Sequence, residues 1–302
     1  MSDETEARAA SARLPVLAGY DGPLERMGGL TNTVFRAGDL VLRLPGAGTA
    51  EYINRSNEAQ AARAAAKAGV SPEVVHADPK TGLMVTRFIP GAVTMTSEGF
   101  RAIAGSPARA GLALRKLHQS GAVFPARFEL FAMIDDYLAI LGTRDVALPV
   151  GYHEVVAEAE TVRVALAALP LPLVACHCDP LCENFLDTGT RMWIVDWEYA
   201  GMNDPMWDLG DLSVEGGFDA AQDAAMMQAY FDGPPPEQDA ARMVIYKAMC
   251  DLLWTLWGLI QLANDNPAED FRAYADTRFA RCKALMADPQ FQGHIARIAT
   301  GP

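Results

Sequence analysis

The sequence predicts an α+β fold of two lobes: a small β-rich N-terminal lobe over residues 1–90 and a larger, mainly helical C-terminal lobe over residues 91–302. Short β-branched and apolar runs separated by turn residues fill the first part of the chain. Segments with helical periodicity dominate beyond residue 97, and the dipeptide "PG" at 90 and 91 separates the two patterns. The chain has 302 residues, of which 50% are hydrophobic, so each lobe can bury a core.

The N-terminal lobe begins with an Ala-rich segment, residues 1–18, which we expect to form a helix or a frayed arm. The runs "NTVFRA" and "DLVLRL" then predict an antiparallel hairpin. A helix is predicted over 51–68 and ends at Gly69. The runs "EVVHAD" and "LMVTRFI" predict two further strands around the turn "PKTG".

The C-terminal lobe is predicted to contain helices over 106–119, 128–141, 152–168, 219–231, 237–263 and 268–286. One strand pair is predicted within residues 176–201, where "FLD" and "MWIVD" flank the turn "TGTR". The most apolar helical segment, 243–263, is interrupted by Lys247 and Asp251, so we expect no membrane insertion.

The composition indicates a partner class and a compartment. A net charge of −13 disfavours nucleic acid as a partner and is compatible with a small cationic substrate, although solubility alone would explain it. The N-terminus lacks the basic and apolar regions of a signal peptide, and the cysteine count is odd at five. We therefore expect a cytoplasmic protein with reduced thiols.

The stretch "CHCDPLCENFLDTGTRMWIVDWEYAG" contains the predicted catalytic chemistry. A hairpin turning at 188–191 places Asn184 beside Asp196 at its open end, with Asp179 just before the first strand. Amide and carboxylate oxygens suit magnesium, and a further carboxylate can orient a hydroxyl and accept its proton. The competing interpretation is a loop of ordinary turn-forming residues.

A thiol metal site is the other interpretation of this stretch. Cys176, His177, Cys178 and Cys182 offer four soft ligands. Structural zinc sites usually draw two separated pairs of ligands from two elements, whereas these four lie on one segment. The pattern therefore favours buried cysteines that act as small hydrophobic residues.

The segment "HCDPLCENFL…WIVDWEYAG" resembles the catalytic and metal-binding segment of the choline/ethanolamine kinases and aminoglycoside phosphotransferases. The resemblance extends from Gly28 to about Phe279. It implies a bilobal protein-kinase-like fold, with ATP and Mg²⁺ as cofactors. By the same resemblance Asp179 is the catalytic carboxylate, and Asn184 and Asp196 hold magnesium on the phosphates.

The resemblance also implies a nucleotide site in the N-terminal lobe. "GGLTN" stands where the family has its phosphate-covering loop, and Arg43 stands at the strand position of the protein-kinase lysine. Glu58 is the expected ion-pair partner of Arg43, and a solvated helix face is the alternative for Glu58. The residues expected to contact the nucleotide are Gly28, Gly29, Thr31, Asn32, Arg43, Glu58 and, through the hinge backbone, Arg87, Phe88 and Ile89.

The predicted acceptor pocket lies further along the chain. Trp254 and Trp257 are three residues apart on one helix, which fits either an ordinary core stripe or an aromatic pocket. "LWTLWGLIQ" and "YADTRF" resemble the choline-kinase segments that carry the pocket tryptophans and tyrosine, here Tyr274. The resemblance also places Glu215 near the ammonium group.

Two further roles follow from the resemblance. Asp208 is expected to brace the catalytic loop, and Glu198 to serve either the metal site or the pocket rim. The residues after Glu215 lack the family tyrosine, so Phe218 is a candidate to close the pocket.

Choline is the favoured acceptor. Ethanolamine or another amino alcohol is the closest alternative, followed by aminoglycosides and thiamine. A pseudokinase without turnover and a zinc-binding regulator remain the alternatives from other classes. The sequence leaves homodimerisation open.

Overall fold

The computed structural model describes residues 3–28, 32–46, 49 and 53–299. Its N-terminal lobe is built on an antiparallel sheet with the strands β1 (Glu25–Gly28), β2 (Thr33–Ala37), β3 (Leu40–Leu44), β4 (Val74–Ala77) and β5 (Met84–Arg87). Their order in the sheet is β1-β2-β3-β5-β4. The predicted β2–β3 hairpin is confirmed, with Val34 opposite Arg43, and the predicted pairing of β4 with β5 is confirmed as well.

Two helices pack with this sheet, α1 (Asp3–Ser11) and α2 (Arg55–Lys67). The predicted start of α2 at residue 51 lies outside the described residues. Within them the helix begins after Asn54, whose side chain accepts hydrogen bonds from the N–H groups of Ser56 and Asn57. A small core forms between α1 and the sheet, where Leu42 and Val85 are fully buried.

The C-terminal lobe contains α3 (Ser97–Ala102), α4 (Ser106–His118), α5 (Leu130–Leu141), α6 (Tyr152–Ala168), α7 (Pro205–Gly216), α8 (Ala220–Phe231), α9 (Glu237–Ala263), α10 (Phe271–Met286) and α11 (Phe291–Ala299). All six predicted helices are present. The helices α3, α7 and α11 are not among the predicted ones.

Helix α9 is the centre of this lobe, and α7, α10 and α11 pack along it. Its length and composition would allow it to cross a membrane, but 89% of its most apolar window is buried inside the protein. Its charged residues are paired: Lys247 contacts Asp223, and Asp251 contacts Arg281. The helix therefore has the features of a core helix.

Five short strands lie on the cleft side of the helical lobe: β6 (Val93–Thr94), β7 (Val174–Cys176), β8 (Phe185–Asp187), β9 (Met192–Ile194) and β10 (Gly201–Asn203). The predicted β8–β9 hairpin is confirmed, with Leu186 opposite Trp193. Strand β6 pairs with β8, and β10 pairs with β7. These pairings position the segments before and after the hairpin.

Candidate active site

The β8–β9 hairpin brings the predicted catalytic residues together. Asn184 precedes β8 and Asp196 follows β9, and the Val195 N–H donates to the Asn184 carbonyl at 2.9 Å. The Asn184 Nδ2 donates to the Asp179 carbonyl at 3.0 Å. All three side chains line one cavity of about 700 Å³ between the lobes. The predicted convergence of these residues is therefore seen in the structure.

Two backbone positions beside this site lie in the left-handed region. Cys178 has φ 68° and Asp196 has φ 67°. Such conformations cost about 1–3 kcal/mol in a non-glycine residue and persist only where the surroundings hold them. The fully buried Asp208 does this for Cys178, because its carboxylate accepts the N–H groups of His177 at 2.7 Å and Cys178 at 2.8 Å. The predicted bracing role of Asp208 is thus confirmed.

The acidic groups of the cavity raise one another's pKa. Burial and the Glu198 carboxylate raise the pKa of Asp196 to about 7. Burial and the carboxylates of Asp196 and Glu215 raise the pKa of Asp179 well above its ordinary value. The cavity therefore holds more negative charge than it can easily keep ionised, which is the electrostatic setting of a cation site.

Arg43 is the basic group that contacts the Asp196 carboxylate. It lies on β3 and forms a buried ion pair with Glu58 of α2. Its Nη1 is also 3.3 Å from Asp196 Oδ1 and 3.5 Å from Glu198 Oε1. The predicted Arg43–Glu58 pair is confirmed. The solvated-face alternative is wrong, because Glu58 is only 2% exposed.

Arg55 completes this group and was not predicted. It lies one helical turn before Glu58, and its Nη1 is 2.9 Å from Glu58 Oε2 and 2.5 Å from Glu198 Oε1. The i, i+3 spacing from Glu58 was the available signal in the sequence. We refer to Arg43, Arg55, Glu58, Asp196 and Glu198 as the interlobe cluster.

The structure describes part of the predicted phosphate loop. Gly28 ends β1, whereas Gly29 and Thr31 lie outside the described residues. Asn32 does not face solvent: it is 3% exposed, and its Nδ2 donates to Glu198 Oε1 at 2.8 Å. The end of the loop is therefore tied directly to the interlobe cluster.

The three predicted hinge residues lie at the cavity. Arg87, Phe88 and Ile89 line the cavity beside apolar residues of the sheet such as Val34 and Val41. The Arg87 N–H already donates to the Glu73 carbonyl and the Phe88 N–H to the Asp39 carbonyl, both at 2.9 Å. These two donors are used in holding β5 to its neighbours. Any backbone contact to adenine must come from other groups of the hinge.

The hinge side chains also make contacts of their own. The Arg87 side chain forms exposed ion pairs with Asp39 at 2.7 Å and Glu73 at 3.2 Å. The Phe88 ring lies under the guanidinium of Arg36, 4.0 Å from its carbon. Both side chains thus fix the edge of the cavity.

The cysteines of the catalytic stretch lie in the core. Cys176, Cys178 and Cys182 are buried, and burial raises the pKa of each thiol. The Cys176 Sγ faces the Asn203 carbonyl at 3.6 Å, and the Cys178 Sγ faces the Gly201 carbonyl at 3.9 Å. Within the described chain, the four residues do not group within ligand reach of one another. The cysteines are core residues, as the sequence favoured.

The acceptor side contains three of the four predicted residues. Glu215 on α7, Trp257 on α9 and Tyr274 on α10 line the same cavity as Asp179. The ring centroids of Trp257 and Tyr274 are 5.6 Å apart. Two aromatic faces and a carboxylate therefore share a wall of the cavity.

Trp254 was predicted to face this cavity, and that placement is wrong. Its ring packs behind Tyr199 at a centroid distance of 5.2 Å, and its Nε1 donates to Asp211 Oδ2 at 3.1 Å. Residues three apart on a helix point about 60° away from each other, so Trp254 and Trp257 meet different neighbours. Phe218 does not close the pocket either, because it packs against Phe100 at 5.1 Å.

Comparisons with known proteins show which family the chain belongs to. A family described as "Phosphotransferase enzyme family" matches residues 25–244. A choline/ethanolamine kinase family protein from Mesorhizobium loti, whose crystal structure is known, is 71% identical; the match covers 99% of each chain with a TM-score of 0.92. The chain belongs to the choline/ethanolamine kinase family.

More distant members of this kinase family have the same architecture. The choline kinase LicA from Streptococcus pneumoniae is 24% identical, with a TM-score of 0.79 over 94% of this chain and 99% of that chain. Protein LicA from Haemophilus influenzae is 25% identical over 276 residues, 88% of this chain and 80% of the relative. The chain is thus a phosphotransferase with an alcohol group as acceptor, and the predicted protein-kinase-like fold is confirmed.

Two residues of the acceptor wall were not predicted from the sequence. Tyr199 lines the cavity three residues after Asp196. Arg278 lines it one helical turn after Tyr274 and pairs with Glu215 at 2.5 Å. The i, i+4 spacing of Tyr274 and Arg278 was visible in the sequence, but nothing in it showed which face of α10 meets the cavity.

Proposed function

We propose that the chain transfers the γ-phosphoryl group of ATP to the hydroxyl of choline. The observation that supports this most directly is the aromatic wall of Trp257 and Tyr274, in the same cavity as Asp179. Aromatic faces attract a quaternary ammonium group, and each such contact contributes on the order of 1 kcal/mol or more when desolvated. One cleft can therefore bind the charged group of the ligand and position its hydroxyl for the reaction.

The residues present fit a magnesium ion. The Asn184 Nδ2 donates a hydrogen bond to the Asp179 carbonyl. The Asn184 Oδ1 can therefore serve as a metal ligand beside the Asp196 carboxylate. Oxygen donors of this kind are the ones magnesium prefers, and burial together with the Glu198 carboxylate raises the pKa of Asp196, which supports a cation at this position. Asn184 and Asp196 would hold the ion, with Glu198 close by. Bound there, magnesium supplies charge neutralisation on the phosphates.

Asp179 performs the proton chemistry in this proposal. Its carboxylate accepts a hydrogen bond from the acceptor hydroxyl and holds the oxygen in line with the γ-phosphorus. As the new O–P bond forms, the bond to the β–γ bridging oxygen breaks, and ADP leaves with that electron pair. The hydroxyl proton passes to the ionised carboxylate of Asp179.

Arg43 stabilises the transferring group. Its guanidinium is always charged, and its place between Glu58 and Asp196 holds it at the edge of the metal site. From there it can donate to phosphate oxygens whose negative charge increases during transfer. Arg55 acts indirectly, by holding Glu198 and Glu58 in place.

Ethanolamine or another amino alcohol is the second candidate. It is favoured by the carboxylates that line the acceptor end of the cavity, Glu183, Glu215 and Glu269. Aminoglycosides and thiamine follow as acceptors, and a pseudokinase is disfavoured by the assembled Asp179, Asn184 and Asp196.

An ATP-consumption assay over choline, ethanolamine, thiamine and kanamycin tests this proposal. We expect the highest kcat/KM with choline. Trp257→Ala should raise the choline KM about tenfold, equivalent to about 1.4 kcal/mol, with a smaller change in the ATP KM. Trp257→Phe retains an aromatic face and should keep most of the affinity. Unchanged choline kinetics in Trp257→Ala, or turnover confined to another acceptor, would rule the choline assignment out.

A further inference from the structure

Arg278 places a protein cation in the acceptor pocket. Its guanidinium carbon lies 4.3 Å from the ring centroid of Tyr274, and its Nη1 is 2.5 Å from Glu215 Oε1. The residue is 5% exposed and lines the cavity together with Trp257. The aromatic face and the carboxylate that an acceptor ammonium would seek are thus already engaged by an arginine.

A buried second layer holds Arg278 in this position. Arg278 Nη1 is 3.3 Å from Asp251 Oδ1, and Asp251 is fully buried. Arg281 makes two hydrogen bonds to the same carboxylate, at 2.6 and 2.7 Å, and its side chain reaches the surface instead of the cavity. Asp251 is therefore held from both sides, and the buried Arg278 guanidinium is not a mobile surface group.

This arrangement changes the electrostatic character of the pocket wall. Glu215 Oε1 forms an ion pair with the guanidinium at contact distance, so its negative charge is compensated before any ligand enters. Trp257 contributes an indole face, and its buried Nε1, like Glu215 Oε1, has no hydrogen-bond partner among the described residues. Beside Trp257, a cation is thus attracted by the indole face more than by the charge of Glu215.

We propose that Arg278 is a specificity-determining residue that biases the pocket toward alkylated ammonium groups over primary ones. The inference rests on the proposed function, because it concerns the amine end of an amino-alcohol acceptor. Arg278 does so by occupying Glu215, the carboxylate that a primary ammonium would otherwise use.

The physical reason is the difference in hydration between the two kinds of cation. A primary ammonium has three N–H donors, and each must exchange water for a protein acceptor when it enters the pocket. With Glu215 engaged by Arg278, this exchange is incomplete. A quaternary ammonium has no donor to satisfy, and it keeps its attraction to the Trp257 face. The pocket therefore discriminates against a primary ammonium because Arg278 already engages the Glu215 carboxylate.

Arg278→Gln is the direct test, because it removes the charge and keeps a polar side chain. We expect the ratio of choline to ethanolamine affinity to fall about tenfold, mainly through tighter ethanolamine binding, with the ATP KM unchanged. Arg278→Lys, which retains the charge, should keep the wild-type preference. Dissociation constants for both ligands are measured by calorimetry, beside kcat and KM.

Arg281→Gln is the matched control. It removes an ion pair to the same Asp251 from outside the cavity, so both ligands should be affected equally. A parallel loss of both ligands in Arg278→Gln, or an unchanged ratio, would show that Arg278 is only a structural tie and would overturn the inference.

Glu215→Gln keeps the inference testable if Arg278→Gln does not fold. We expect the choline to ethanolamine ratio to stay as in the wild type, because the carboxylate is already occupied. Selective loss of ethanolamine binding would instead show that Glu215 serves the primary ammonium. The binding constants decide this inference even if neither alcohol is phosphorylated, an outcome that would refute only the proposed function; absence of binding of both ligands would refute both.

Discussion

At the residue scale, neighbouring carboxylates of the cavity differ in their surroundings. Asp196 stands within contact distance of Arg43 and Glu198, whereas Asp179 has its backbone carbonyl held by Asn184. Both have a raised pKa, so titration behaviour does not separate their roles. The contacts do separate them, because Asp196 belongs to the interlobe cluster, where we propose that magnesium binds, and Asp179 is positioned by the loop.

Asp179→Asn should therefore affect chemistry far more than nucleotide binding. The amide keeps the size and polarity of the carboxylate but cannot accept the hydroxyl proton. We expect kcat to fall by two orders of magnitude or more, which is about the effect of losing an acid–base group. Steady-state kinetics together with ATP affinity measured by calorimetry check this. A collapse of ATP affinity in parallel with kcat would assign Asp179 to the metal site instead.

The sequence could predict the composition of the site at this scale but not the direction of each side chain. The spacing of Asp179, Asn184 and Asp196 about a hairpin is a local feature, and it was sufficient to bring the three together. The pair Trp254 and Trp257 shows the limit. Which of two indoles on one helix meets a cleft depends on the packing of α9 against α7 and α10, which no local pattern specifies.

At the element scale, long helices were predictable, and very short strands were predictable only where a turn signal marked a hairpin, as it did for β8 and β9. The 27 residues of α9 provide many turns of periodic pattern. Strand β6 has two residues and β7 and β10 have three each, too few to show an alternation. They are strands because a partner segment lies beside them, and that pairing is a tertiary contact.

The aromatic wall lies where α9 contacts α10, and Gly258 allows the Tyr274 ring to approach the backbone of α9. A Cβ at this position would lie 2.6 Å from Tyr274 Cδ1 and 3.0 Å from Cε1. The Tyr274 ring therefore rests on the backbone of α9 beside Trp257. The residue next to the pocket tryptophan is small because the ring of the opposing helix needs its space.

Gly258→Ala should displace the Tyr274 ring and weaken acceptor binding selectively. We expect the choline KM to rise several-fold with little change in the ATP KM, because the contact lies at the acceptor end. Gly293→Ala is the matched control, since it lies on α11 with no heavy atom within 4 Å of its would-be Cβ. Equal acceptor kinetics in the two variants would show that the position of the Tyr274 ring does not matter.

At the scale of the whole molecule, the lobes are joined through the same carboxylates that would hold the metal. Arg43, Arg55 and Asn32 come from the N-terminal lobe, and all three contact Glu198 of the C-terminal lobe. Three carboxylates of the interlobe cluster face only two guanidinium groups. The net charge of the interlobe cluster therefore changes when either arginine is lost or when a divalent cation binds.

Arg55→Gln should lower the melting temperature of the protein, and magnesium should restore part of the loss. The substitution leaves Glu58, Asp196 and Glu198 with Arg43 alone, and removing one partner of a buried ion pair costs about 3–5 kcal/mol. Magnesium would supply positive charge to the same carboxylates, so it should raise the melting temperature of the variant more than that of the wild type. Thermal unfolding with and without magnesium measures both effects. Arg163→Gln removes a half-exposed pair with Glu160 and should change little, in both conditions. If Arg55→Gln behaves like Arg163→Gln, the interlobe cluster does not hold the lobes together.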